Sequence, residues 1–335
     1  MEYRNLGWSG LRVSPLCLGT MNFGGPTDEA TAGRIIGQAA EAGVNFLDTA
    51  DAYTGGMSEQ VVGRAIKGMR DGWVLATKLA NSIEADANGA GTSRKWVMRA
   101  VEGSLARLGT DYIDVYYLHK EDHRTPLAET VRAMADLVRQ GKIRYFGVSN
   151  YRGWRVAEIC RLCDEAGIDR PVVSQPYYHA LNRVAETEHL PACGYFGLGV
   201  VSYSPLARGI LTGKYDPDGQ PGAETRAGRA DKRFMQTEWH PASLLLAKQI
   251  VAHAAAHGAT PTQFAVGWVL HNRLVTGVIG GPRTEAQWAD YLAALDYRFT
   301  AADEAFVDGL VAPGHHAVAG YNDPAYPLEG RPVMA

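Results

Sequence analysis

The chain has 335 residues, 46% of them hydrophobic and 21% charged, a balance that excludes disorder as the dominant state. Thirty-three Lys and Arg face 36 Asp and Glu, a formal charge of -3, so nothing global draws the protein to nucleic acid or an anionic membrane. Glycine stands out at 38 residues, about 11% against an ordinary ~7%.

Taken in order, short β-branched runs alternate with amphipathic stretches. The N-terminal residues carry no apolar signal core and are expected to form a hairpin. Strands are expected over 16–19, 45–49, 74–78, 113–119, 145–150, 172–175, 200–204 and 277–280. Between them, 29–42 carries Ile35, Ile36 and Ala39 at helical spacing, with Gly43 as the stop. The stretch 93–108 opens on Ser93 as N-cap and lines up Val97, Val101, Leu105 and Leu108. Pro126 and Pro261, each after a threonine, are expected at the first position of two further helices. Eight βα units predict an α/β fold, a (β/α)₈ TIM barrel, as a single domain over 1–335 with a C-terminal tail over about 312–335. A doubly wound sheet would need Gly-x-Gly-x-x-Gly after an early strand, and that spacing is absent.

The four cysteines, Cys17, Cys160, Cys163 and Cys193, make neither a disulfide framework nor a zinc ribbon. Cys160 and Cys163 read as structural thiols on a helix face. The longest uncharged run is broken by prolines and glycines and cannot span a membrane, which makes the cytoplasm the expected compartment. No metal set is legible: His119 and His123 lie at a strand end. His253 and His257 lie one turn apart on a helix, but no third ligand is identifiable, and they read as a polar face.

The strand ends carry the chemistry. Most of the apolar runs stop at a polar residue: Asp48, Lys78, His119, Ser149 with Asn150, Gln175 and Ser204. In a barrel these ends share one rim, where active sites sit. A tyrosine hydroxyl, with an ordinary pKa near ~10, is a poor acid at neutral pH. A nearby ammonium, held charged by a carboxylate, lowers that pKa. Asp48, Tyr53 and Lys78 can therefore make a tuned phenol, with His119 to orient a substrate oxygen.

Asp48-x₄-Tyr53, Lys78 and His119 resemble, in order and spacing, the catalytic tetrad of the aldo-keto reductase family. The opening Leu6-Gly-x-Ser-Gly-Leu-x-Val-Ser14, Gly141-Lys-Ile-Arg-Tyr-Phe-Gly-Val-Ser-Asn150 and Tyr203-Ser-Pro-Leu-Ala-Arg-Gly-Ile-Leu-Thr-Gly-Lys-Tyr215 are similar to that family too. The middle of the chain looks most like the bacterial, aflatoxin-aldehyde-reductase and potassium-channel β-subunit branches. The resemblance implies NADPH-dependent reduction of an aldehyde or ketone. Hydride would come from the nicotinamide and the proton from Tyr53, with Lys78 and Asp48 depressing the Tyr53 pKa and His119 orienting the carbonyl. It also implies a cofactor, NADP(H). Ser149, Asn150 and Gln175 would grip its carboxamide, and Tyr203 would stack on its ring. Gly19, Thr20, Met21, Ser204, Pro205, Leu206, Ala207, Arg208, Gly209 and Lys214 would line the pyrophosphate. Arg283 would pair with the 2′-phosphate and Gln287 and Asp290 would approach the adenine. Asp48 and Gly281 complete the set. Arg226 resembles a further phosphate-loop arginine; the alternative is a solvated charge on a long loop. Gly209-x₃-Gly213-Lys214 mimics a phosphate loop but lacks the spacing and the hydroxyl residue of a triphosphatase.

Two positions depart from the family pattern. Gly280 stands where proline is usual, and Tyr291 where asparagine contacts adenine. Phe23, Met21 and a tail aromatic such as Tyr321 are candidate pocket walls, and the tail either closes over the pocket or straps the surface. The rival function is an NADPH-binding regulatory module with little turnover. A barrel hydrolase would need a second rim carboxylate opposite Asp48, which no strand end offers. The substrate is a small carbonyl or alcohol of undetermined identity. A homo-oligomer stays open, since the family ranges from monomers to rings.

Overall fold

The computed structural model describes residues 1–83, 86–217 and 219–328. Among these, a two-strand hairpin, β1 (Arg4–Asn5) and β2 (Arg12–Val13), precedes a closed barrel of eight strands. The barrel strands are β3 (Leu16–Gly19), β4 (Phe46–Asp48), β5 (Val74–Leu79), β6 (Ile113–Leu118), β7 (Ile143–Ser149), β8 (Val173–Gln175), β9 (Gly199–Ser202) and β10 (Gly277–Gly280). Every neighbouring pair is parallel, and β10 closes on β3. All eight expected runs are strands, with ends that move by no more than two residues.

Two apolar layers hold the barrel. Inside it lie Cys17, Phe46, Val74, Val115, Tyr117, Val173, Val201 and Ile279, with Leu6 and Val13 of the hairpin joining them. Outside it, alternate strand residues such as Leu47, Leu75, Tyr116 and Val148 meet the helices. Such two-sided burial is why these strands read as near-continuous apolar runs. The helices are α1 (Glu29–Glu41), α2 (Met57–Ala65), α3 (Arg94–Leu108), α4 (Leu127–Arg139), α5 (Gly153–Ala166), α6 (His189–Phe196), α7 (Lys232–Thr237), α8 (Pro241–Ala256), α9 (Pro261–His271), α10 (Glu285–Ala293) and α11 (Ala301–Leu310). Ser93 caps α3 by accepting from the Trp96 amide. Thr260 and Gln263 form a capping box on α9, with Pro261 in its first turn as expected.

Pro126 differs from expectation. Its ψ of 126° is extended, so it is the N-cap of α4 and the helix starts at Leu127. Cys160 and Cys163 are buried on α5 and their thiols are pushed up, to about 11 and about 12, first by burial. No helix among the described residues is long and apolar enough to cross a membrane.

Candidate active site

The parallel register brings the polar strand ends to one rim. Gly19 pairs with Asp48, Lys78 with Tyr117 and Ser149 with Gln175 across successive strands. The ladder continues past the strands, where the Asp51 amide donates to Lys78 O and the His119 amide to Leu79 O. A cleft of about 690 Å³ opens on this rim. Its wall includes Gly19, Thr20, Met21, Asp48, Tyr53, His119, Ser149, Asn150, Gln175, Tyr203, Ser204, Pro205, Leu206, Arg208, Gly209, Lys214, Arg226, Gly281, Arg283, Gln287 and Asp290. Residues far apart in sequence are thus brought together as expected. The rim is also where backbone strain collects, since Ala80, Asn150, Ser204 and Arg208 all take positive φ without being glycine.

At the floor, Lys78 Nζ donates to Asp48 Oδ2 at 2.5 Å, to Thr49 O at 2.8 Å and to Tyr53 Oη at 3.1 Å. The ammonium is fully buried and its three donors have three acceptors. Burial works against its charge, but Asp48 and then Tyr53 outweigh burial, and the Lys78 pKa is raised. Asp48 is held from its other side by Gln175 Nε2 at 2.9 Å.

Tyr53 corrects one expectation. Lys78 does pull its pKa down, but burial is the larger effect and the net shift is upward. The phenol is therefore fully protonated at neutral pH, the state a proton donor needs. His119 lies edge-on to Tyr53, with ring centroids 5.9 Å apart. Burial, then Lys78 and Lys120, push its pKa well below the ordinary value, so the imidazole is neutral. Asn81 Nδ2 donates to His119 Nδ1 at 3.0 Å, which leaves the proton on Nε2. Asn81 was not legible in the sequence, because it lies on the loop after β5 with no strand-end position to mark it.

A chain of bonds runs round the rim from this corner. Ser149 Oγ donates to Gln175 O, Asn150 Nδ2 to His119 O, and Tyr203 Oη to Asn150 Oδ1 at 2.7 Å. Tyr203 stacks on Tyr177 behind it. The other end of the cleft is cationic. Lys214, Arg226, Arg229 and Arg283 all line it. The Lys214 pKa is lowered first by burial and then by Arg283, Arg226 and Arg229. Arg226 is not a solvated charge: it is largely covered and pairs with Asp231 at 3.0 Å. Gly209, with φ 107°, lets the loop pass over Lys214, whose Nζ would lie 2.8 Å from a Cβ there. Arg229 and Arg233 were missed by the sequence reading, although Arg226-x₂-Arg229 is a basic doublet that could have marked the first.

Several expectations shift. Ala207 is fully buried and off the cleft wall. Phe23 is likewise buried in the core rather than on the wall, whereas Met21 is on it. The tail aromatic on the wall is Tyr326; Tyr321 instead stacks on His316 at 4.0 Å. Arg208 reaches away from the cationic end toward the buried Glu238, at 3.5 Å. The tail is tied down by Arg233 to Asp323, at 2.9 and 2.6 Å, and by Arg152 Nη2 to Pro327 O. Of the 312–335 segment, residues 329–335 lie outside the described ones.

The two departures, Gly280 and Tyr291, meet each other. A Cβ on Gly280 would lie 3.0 Å from Cγ and Cδ1 of Tyr291. The buried Tyr291 ring occupies the space that a larger residue at 280 would need, which is a physical reason for the two to occur together.

The model of the aldo/keto reductase family matches residues 15–312. An uncharacterized oxidoreductase of Bacillus subtilis, YrpG, is 40% identical over 308 residues, covering 88% of this chain and 91% of the relative. Probable voltage-gated potassium channel β-subunits of Oryza sativa and of Arabidopsis thaliana are each 35% identical over 303 residues, covering 88% of this chain and 92% of the relative. The family match over nearly the whole barrel places the chain in the aldo/keto reductase family, as an oxidoreductase acting on carbonyl compounds.

Proposed function

We propose that the protein reduces an aldehyde or ketone to the alcohol with NADPH, and that Tyr53 donates the proton. The observation that carries this reading is the Lys78 ammonium with its three acceptors, one of them the Tyr53 hydroxyl. Lys78 donates to the phenol oxygen, so the phenol's own proton is free for another acceptor. The His119 Nε2 proton is the second donor beside it. A carbonyl oxygen taking both bonds would be polarised as negative charge develops on it. In alcohol oxidation Tyr53 would serve as base, a role its raised pKa makes harder.

The cleft suits a dinucleotide phosphate. Lys214, Arg226, Arg229 and Arg283 crowd one end, and burial first, then repulsion by the three arginines, depresses the Lys214 pKa. An anion of more than one charge relieves that repulsion, and a guanidinium such as Arg283 suits a terminal phosphate. Ser149, Asn150 and Gln175 would face the carboxamide, and Tyr203 the ring. The bound dinucleotide would supply the hydride that reaches the carbonyl carbon. Tyr326 and the tail would cover the substrate side of the cleft, within one barrel domain.

The relatives named as channel β-subunits keep a second reading in view, a module that binds the dinucleotide with little turnover. The complete Asp48, Tyr53, Lys78 and His119 set favours turnover. Oxidation of NADPH followed with nitrobenzaldehyde and a panel of carbonyl compounds separates the two. Steady turnover is expected; tight NADPH binding without turnover would overturn the enzyme reading.

A further inference from the structure

We infer that the end of α8 and the start of α11 form a binding site for a late first-row divalent cation of the zinc type, with His253, His257 and Asp303 as ligands. His253 lies in the last turn of α8, His257 caps that helix, and α11 adds the carboxylate. One ligand atom from each residue lies within 4.8 Å of the others. The sequence reading found no third ligand because Asp303 comes from a separate helix.

His257 and Asp303 are each already held through an atom that ligation does not need, and the His253 ring is held by stacking. His257 Nδ1 donates to His253 O at 2.8 Å, which leaves Nε2 as the lone pair. Asp303 Oδ2 accepts from the Thr300 amide at 2.9 Å and from Thr300 Oγ1 at 2.7 Å, leaving Oδ1. The His253 ring is stacked on Phe306 at 3.9 Å and faces His257 at 4.2 Å. Bonds of this kind to the far side of a ligand are what orient metal-binding imidazoles and carboxylates.

The present contact between His253 Nε2 and Asp303 Oδ1 is a hydrogen bond of 2.8 Å. Neighbouring ligand atoms of a tetrahedral zinc lie about 3.3–3.5 Å apart, so the pair opens by roughly half an ångström. The hydrogen bond gives way to coordination, and the His253 proton moves to Nδ1 or to solvent. Two imidazole nitrogens and one carboxylate oxygen suit zinc rather than calcium or magnesium, which take oxygen sets. His257 is exposed, so water takes the fourth position. None of the three residues lines the cleft, and the cation would staple α8 to α11.

The test uses the full chain without a histidine tag. Cobalt(II) titration should give one equivalent with the intense visible bands of a tetrahedral site. Zinc should displace it and raise the Tm. His257→Ala, an exposed change, should weaken binding at least about tenfold and abolish the zinc-induced Tm shift. Asp303→Asn should weaken binding similarly. An octahedral cobalt spectrum, or binding and a Tm shift that survive His257→Ala, would overturn the assignment.

Discussion

The two ends of the cleft are built on opposite electrostatic plans. At the catalytic corner, the charges are balanced within the protein: Lys78 has Asp48, Thr49 O and Tyr53, and Asp48 has Gln175 as well. The parts sit on strand ends or the loops that leave them; Asp48, Thr49, Lys78 and Gln175 are buried and Tyr53 faces the cleft. At the cationic end, four cations lie on loops or beyond the last strand, and they raise one another's energy. The first region balances its own charge; the second crowds like charges, which a bound anion would relieve. Stability and affinity therefore separate between the two ends. Removing a charge from the corner should unfold the protein's balance, whereas removing one from the other end should cost only binding.

Lys78→Met breaks the corner most severely. It leaves Asp48 buried with its counter-ion gone, a loss of about 3–5 kcal/mol. Denaturant unfolding should show that loss together with near-complete loss of carbonyl reduction. An unchanged midpoint would mean that the corner does not carry stability.

Asp51 sharpens the picture from behind. Burial, then Glu59, push its carboxyl up to about 7. The folded state therefore binds the proton more tightly than the unfolded one. Stability contributed by this group is present below the unfolded value near ~4, and is lost as pH rises toward 7. The full swing is roughly 4 kcal/mol. Unfolding measured at pH 5 and pH 8 should show a smaller fall for Asp51→Asn than for wild type. An equal fall in both would remove Asp51 as the cause.

Arg283→Ala tests the other end. It should weaken NADPH binding by about 1.5–3 kcal/mol, the loss of a hydrogen-bonded charge, with NADH and the unfolding midpoint almost untouched. Equal effects on both dinucleotides would remove the reason for preferring the phosphorylated one. Gly280→Pro should be the mildest. Overpacking against Tyr291 should cost about 1–3 kcal/mol, and adding Tyr291→Asn should recover much of it. Strict additivity in the double variant would show that the two residues do not share space.

Much of this architecture was legible in the sequence. The eight apolar runs gave the barrel, because parallel strands buried on both faces are continuous and their polar ends are abrupt. Asp48, Lys78 and His119 were legible for the same reason, each at or next to such an end, whereas Tyr53 was marked by the Asp48-x₄-Tyr53 spacing that resembles the family. What escaped depends on loops and long-range packing. Asn81, Arg229 and Tyr326 lie where no periodicity marks position. Ala207 and Phe23 are buried because the chain turns under itself there. The direction of the Tyr53 shift was missed because burial, which outweighs Lys78, is a property of the closed rim and not of spacing. Asp303 meets His253 only because α11 packs beside α8.

The role proposed for Tyr53 is proton donation and not cofactor binding. Tyr53→Phe keeps the ring and removes only the hydroxyl. Carbonyl reduction should fall by about 10²–10⁴-fold, while the Kd for NADPH, measured directly by fluorescence quenching, stays within about twofold of wild type. Retained turnover in Tyr53→Phe would contradict the account, and so would a loss of NADPH binding that accounts for the lost rate.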